Sequence, residues 1–152
     1  ESDTLRFFNT HLGSIRFNYS DYKIIGGKGS PLYSYQKIPN QDIFNRLKIG
    51  FSKRAQQLNE LIPFLEKSPH KRILCSDLND TPLSYAYNQL SNLFADSFTK
   101  SGFGIGGTYI GKIPFLRIDY IWHDKGLDSF NFKTHQNQLS DHKAISVEIL
   151  LR

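Results

Sequence analysis

The sequence predicts a single α/β domain, and three observations carry that prediction. Ile73, Leu74 and Cys75 form an apolar run between the charged pair Lys71-Arg72 and the turn-rich segment Ser76-Asp77-Leu78-Asn79-Asp80-Thr81-Pro82, the pattern of a short buried strand. An amphipathic helix over 53–67 separates this run from an earlier strand-like segment over 5–12, giving a strand–helix–strand order. Downstream, Arg117-Ile118-Asp119-Tyr120-Ile121-Trp122 alternates apolar and polar residues as a half-buried strand does.

A chain of 152 residues suits one domain with a real core. Hydrophobic content of 39% and charge of 22% are ordinary for a soluble fold. The sequence holds no apolar run long enough for a membrane-spanning helix and no visible signal peptide. The single cysteine, Cys75, excludes a disulfide framework and is expected to be a small buried hydrophobe. The net charge of +5, from 19 basic and 14 acidic residues, suits a polyanionic partner such as nucleic acid or an acidic membrane surface. A start on Glu1 and the absence of Met lead us to expect a piece of a longer chain.

In chain order, the strand Leu5–Leu12 places Asn9 and His11 on one face and Phe8, Thr10 and Leu12 on the other. From Ser14 to Gly50 the pattern weakens into a long, mostly irregular insertion. There Tyr19, Tyr22, Tyr33 and Tyr35 stand among Gly and Pro, with Lys23, Lys28 and Lys37 interleaved, a composition able to touch a phosphate-bearing surface. Ser52 is expected to cap a helix over 53–67 whose inner face is Ala55, Leu58, Leu61, Ile62 and Leu65. Pro63 should kink that helix or end it early. At the close of the next strand, Asp77, Asn79 and Asp80 put two carboxylates and an amide within four positions. If the chain stays extended, Asp77 and Asn79 share a face and can serve a divalent cation and a phosphate. The same residues also suit an Asx-rich turn that merely closes the strand.

Ser84–Phe94 reads as a shorter helix with Tyr85, Leu90 and Phe94 inward. Gly102, Gly104, Gly106 and Gly107 mark a loop that matches no nucleotide-cradling pattern, because no helix follows. In the strand 117–122, Ile118, Tyr120 and Trp122 share one face and Asp119 takes the other, with Ser129–Lys133 as the expected partner strand. Leu139-Ser140-Asp141-His142-Lys143 leads into a last strand over 144–150.

Four clusters recur at strand ends or turns: Asn9-Thr10-His11-Leu12, Ser76-Asp77-Leu78-Asn79, Arg117-Ile118-Asp119-Tyr120 and Ser140-Asp141-His142. In that set and order the chain resembles the endonuclease/exonuclease/phosphatase family, whose fold is that of pancreatic deoxyribonuclease, abasic-site endonucleases, neutral sphingomyelinases and inositol-polyphosphate 5-phosphatases. The resemblance spans essentially the whole chain but only the carboxyl-terminal portion of the family's domain. It implies part of a DNase I-like four-layer α/β sandwich, two packed and mainly antiparallel sheets flanked by helices, with residues 1–152 forming one domain that lacks its amino-terminal part.

The resemblance also implies a hydrolase of phosphate esters that uses Mg²⁺ or Mn²⁺ and attacks phosphorus with water. Asp77 would orient or deprotonate that water, and Asn79 would hold it or bond to the scissile phosphate. His142 would meet a non-bridging phosphate oxygen, with Asp119 accepting from its other ring nitrogen and fixing the tautomer. His11 would add a second donor to the phosphate. Asp141, with Asp77 and Asn79, would face the metal, and Asn9 and Arg117 would contact substrate. These types suit the reaction, since an anionic ester must be neutralised and the water aligned.

The chain departs from the family pattern in one respect. The family's amino-terminal strands carry a metal-binding Glu with an Asn beside it, and nothing before Asn9 supplies them. Without that carboxylate a magnesium site would be weak, and without the rest of the family's paired sheets an apolar face would stand open to water. The missing amino-terminal half, or a partner chain, is therefore expected to cover the core. The substrate is expected to be a phosphate ester, with nucleic acid placed ahead of phospholipid or inositol phosphate. The alternatives are a lipid or phosphoinositide phosphoesterase, and a non-catalytic remnant of the fold that binds phosphorylated or acidic surfaces.

Overall fold

The computed structural model of the chain describes residues 4–15, 40–111, 113, 115–136 and 139–151, the first three residues of the opening helix by backbone alone. Its elements are β1 (Leu5–His11), α1 (Asn40–Glu66), β2 (Lys71–Asp77), α2 (Tyr85–Leu93), β3 (Phe94–Asp96), α3 (Ser97–Ser101), β4 (Asp119–Asp124), β5 (Asp128–Thr134) and β6 (Ile145–Leu150). Two sheets form, one of four strands in the order β1-β2-β4-β3 and one two-stranded hairpin of β5 and β6. β1 and β2 run parallel, with α1 between them in the chain, while β4 is antiparallel to both β2 and β3. This is the mixed α/β architecture with two sheets and flanking helices that the resemblance implies.

One face of the larger sheet carries the core. Leu74 and Trp122 are fully buried and Tyr120 is nearly so; these strand residues meet Leu58 and Leu65 of α1 and Leu90 of α2. The predicted alternation in β4 is therefore real, and it leaves Asp119 on the opposite face. Trp122 satisfies its indole N–H on Ser76 Oγ at 3.0 Å, as a buried Trp must. Cys75, on the outer face, is half-buried rather than buried, and burial still pushes its thiol pKa up.

Several expectations need correction. α1 begins at Asn40, so Ser52 lies inside it and does not cap it, and 40–50 is helical rather than irregular. The rest of the expected insertion, including Tyr19, Tyr22, Lys23, Lys28, Tyr33, Tyr35 and Lys37, lies outside the described residues. The buried stripe runs Ile43, Gly50, Arg54, Leu58, Leu65, at helical spacing, but a glycine and an arginine in its middle hide it from a hydrophobicity pattern. The helix continues past Pro63 to Glu66, because a proline in the last turn removes one rung only and Lys67 N–H still reaches the Pro63 carbonyl at 3.2 Å.

Ser84 caps α2, accepting from Tyr87 N–H. That phase turns Ala86 and Leu90 inward and leaves Tyr85 half exposed, against expectation. Phe94 is buried as expected, but as the first residue of β3. Ser129–Lys133 does not pair with the 117–122 strand. Both edges of β4 are taken by β2 and β3, and a turn closed by Leu127 N–H on the Asp124 carbonyl redirects the chain into a hairpin with β6. Among the described residues no helix is long and apolar enough to cross a membrane.

Candidate active site

Strand direction assembles the site. β1 and β2 are parallel and β4 is antiparallel, so the carboxyl ends of the first two meet the amino end of the third, with His11 opposite Asp77 and Asp77 opposite Asp119. Alternation puts His11, Asp77 and Asp119 on the face away from the core. The ladder extends one rung further, Leu12 N–H to the Asp77 carbonyl and Leu78 N–H to the Ile118 carbonyl, which fixes the strand ends against one another. The Tyr120 hydroxyl, 2.8 Å from the Asp80 carbonyl and 2.7 Å from the Arg117 carbonyl, ties together the loop after β2 and the turn before β4.

His142 arrives from a separate segment. An isolated bridge pairs it with Tyr109, and Ile110 N–H to the Asp141 carbonyl and Lys143 N–H to the Thr108 carbonyl hold the two segments together. Thr108 is fully buried, and its Oγ accepts from the backbone N–H of Ile118 and Asp119 at 3.1 and 3.2 Å. One threonine thus couples the His142 segment to the start of β4. The Tyr109 ring stands edge-on to the imidazole at 5.5 Å.

The expected pair is present, with His142 Nδ1 2.9 Å from Asp119 Oδ2. Burial disfavours the imidazolium, but the Asp119 hydrogen bond and charge, with Asp77 and Asp141 behind, outweigh it and hold the His142 pKa above the usual value. Asp77 is also raised, by burial first, against the lowering effect of the Asn79 N–H that it accepts. His11 Nε2 lies 3.4 Å from Asp77 Oδ2, on a side chain 70% exposed.

Asn79 does not share an extended face with Asp77. It takes a left-handed φ of +49°, its N–H donates to Asp77 Oδ1 at 2.8 Å, and its side-chain amide donates to the Leu12 carbonyl at 2.9 Å. The Asx turn and the site are therefore one structure, with Asp77 aimed by the turn that ends the strand.

These groups line one cleft of about 880 Å³ that takes in His11, Asp77, Asn79, Asp119, Asp141 and His142. Arg117 is not brought to it. It is buried and paired with Asp96 at 2.6 Å, stacked over Phe98 and Tyr120, so the expected substrate contact is corrected to a core ion pair. Asn9 is exposed further down β1, opposite Cys75, and does not line the cleft. Sequence reasoning passed over Tyr109, Thr108 and Arg54. Arg54 lines the cleft yet is buried, bonded to Asp80 at 2.8 Å and to the Gly13 carbonyl; its place on the α1 stripe was the one available signal.

One oxygen of Asp77, one of Asp119 and one nitrogen of His142 lie within 4.8 Å of one another, a group that can hold a metal ion. The two carboxylates fit a hard divalent cation. The imidazole fits less well, since its Nδ1 is engaged by Asp119.

A family model described as the endonuclease/exonuclease/phosphatase family matches residues 18–142. Among solved structures, the chain is similar to a conserved protein of unknown function from Enterococcus faecalis, with TM-score 0.59 and 18% identity over 66% of this chain and 45% of that one. It is also similar to a mannosyl-6-phosphatase of Bacteroides thetaiotaomicron, with TM-score 0.55 and 17% identity over 95% of this chain and 51% of that one. At such identities the likeness concerns the fold. The chain spans about half the length of these solved relatives. No curated protein matches it.

Proposed function

The chain belongs to the endonuclease/exonuclease/phosphatase family, and on that premise we propose that it forms the phosphate-binding half of a divalent-metal-dependent phosphoester hydrolase acting on nucleic acid. The observation that carries this reading is the Asp77–Asp119–His142 cluster, with Asp119 hydrogen-bonded to His142 at the end of three converging strands.

With Nδ1 committed to Asp119, His142 has Nε2 left for a non-bridging phosphate oxygen, and a raised pKa favours its donor form. Asp77, raised by burial, is the group to orient or accept a proton from the attacking water, and Asn79 keeps its carboxylate aimed. His11 stands beside Asp77 as a second donor. A divalent ion held by Asp77, Asp119 and Asp141 would neutralise charge on the ester. A further carboxylate is expected from an upstream segment or partner chain. Exposed Phe7 on the outer face of β1, with half-buried Cys75 and Ile121 on the same face, supports that reading.

Nucleic acid is favoured by the net charge of +5. The test uses the protein, together with any upstream segment or partner that completes the site, on plasmid DNA and on phosphoinositide and sphingomyelin vesicles, across a salt series with and without chelator. The expected result is DNA cleavage that falls with salt and stops with chelator. Turnover that survives the chelator would overturn the metal, and vesicle cleavage without DNA cleavage at any salt would overturn the substrate.

A further inference from the structure

A second cleft, of about 460 Å³, adjoins the candidate active site. Its walls include Phe98, Phe103, Phe115, Phe132, Tyr109 and Lys143. Phe98 and Phe132 meet edge-to-face at 5.4 Å. Phe103 and Phe115 are 99% and 69% exposed, an apolar display that folding alone does not favour.

The loop that presents these rings is built under strain. Phe115 has a φ of +69°, an outlier for a bulky side chain, and such strain persists where the surrounding structure requires it, often at ligand sites. Gly107 is required beside it, because a Cβ there would sit 2.8 Å from the Phe115 Cα. Gly104 and Gly106 supply the neighbouring left-handed turns that only glycine adopts freely.

Tyr109 lines both clefts, and its ring lies against His142 while Lys143 follows in the chain. The two cavities are therefore adjacent, one bearing the phosphate machinery and the other aromatic faces with an ammonium group. We propose that the aromatic cleft is a nucleobase subsite, holding by stacking the base of the nucleotide whose phosphate lies at Asp77 and His142. This rests on the phosphoester reading above and deepens it. Flat aromatic rings stack on side chains of this kind regardless of base identity. Lys143 and the positive net charge favour an anionic nucleotide over the neutral acyl chain that an uncharged apolar groove would take.

The test is calorimetric binding of adenosine monophosphate and of ribose 5-phosphate to the protein, a readout independent of turnover. The base should tighten binding by about 5- to 150-fold, the range for one stacked base. Phe103→Ala, at a side chain with nothing packed on it, should erase that advantage and leave ribose 5-phosphate binding unchanged. Phe115→Gly, which relieves the strained φ, should do the same while stabilising the loop. Equal affinity of the two ligands for the unaltered protein overturns the subsite. So does a Phe103→Ala protein that loses binding to phospholipid vesicles while keeping its preference for the nucleotide. A base preference in a protein that cleaves no phosphoester would sink the hydrolase reading and leave the subsite standing.

Discussion

Replacing Asp119 by Asn or by Ala separates the two jobs of its carboxylate, charge and hydrogen-bond acceptance. The contact to His142 Nδ1 is 2.9 Å, between side chains 27% and 19% exposed, so it is partly screened by water. A hydrogen bond to a charged group contributes about 1.5–3 kcal/mol, and a neutral acceptor retains roughly half of that. If the pair acts in the transition state, Asn should slow turnover about 4- to 13-fold and Ala about 13- to 160-fold, with partial exposure favouring the lower ends. The same contact raises the His142 pKa above its unfolded value of 6.5. A raised pKa adds stability that is fully present below that unfolded value and is lost as pH rises through the folded one. Both variants should therefore lower the midpoint of the His142 imidazole followed by proton NMR in metal-free buffer, and flatten the fall in stability that urea melts show as pH rises above 6.5. Turnover of a generic phosphodiester supplies the rate. An unmoved His142 midpoint in Asp119→Ala, or a larger rate loss for Asn than for Ala, would refute the reasoning.

Asp96→Ala should destabilise the fold by about 3–5 kcal/mol, because it strands the buried Arg117 guanidinium without its partner. Denaturant melts read this, and a variant of normal stability with a raised KM would return Arg117 to the substrate. Tyr120→Phe removes the one hydroxyl shared by the Asp80 and Arg117 carbonyls and should cost about 1–3 kcal/mol by the same melts. An unchanged midpoint would mean that water or relaxation replaces it.

The legible parts of the chain were those where burial and pattern coincide. Ile73-Leu74 and the Ile118-Tyr120-Trp122 alternation announced β2 and β4, because each residue's solvent environment matches its hydrophobicity. The first half of α1 stayed hidden because its buried face passes through Gly50 and Arg54, the latter held inside by its bonds to Asp80 and Gly13 and by the Phe51 ring beneath it. β3 is three residues long, too short for any period, and the pairing of β5 depended on which edges of β4 were already filled. At the site, motif order pointed to Asp77, Asp119 and His142, which the fold does bring together. The same reasoning misassigned Arg117, because a cation beside a site motif looks alike whether it faces a ligand or a buried Asp96.

β1 closes one end of the four-stranded sheet, and among the described residues it is paired along one side only. Its seven residues hold no proline, and Phe7 is largely exposed on them. A row of unsatisfied amides and carbonyls of that length is a template for strands of neighbouring molecules, the route by which sheets aggregate edge to edge. Such an open edge would place an aggregation hazard on the strand that carries His11. A segment that pairs with β1 would protect against self-association and, by the same hydrogen bonds, border the candidate active site.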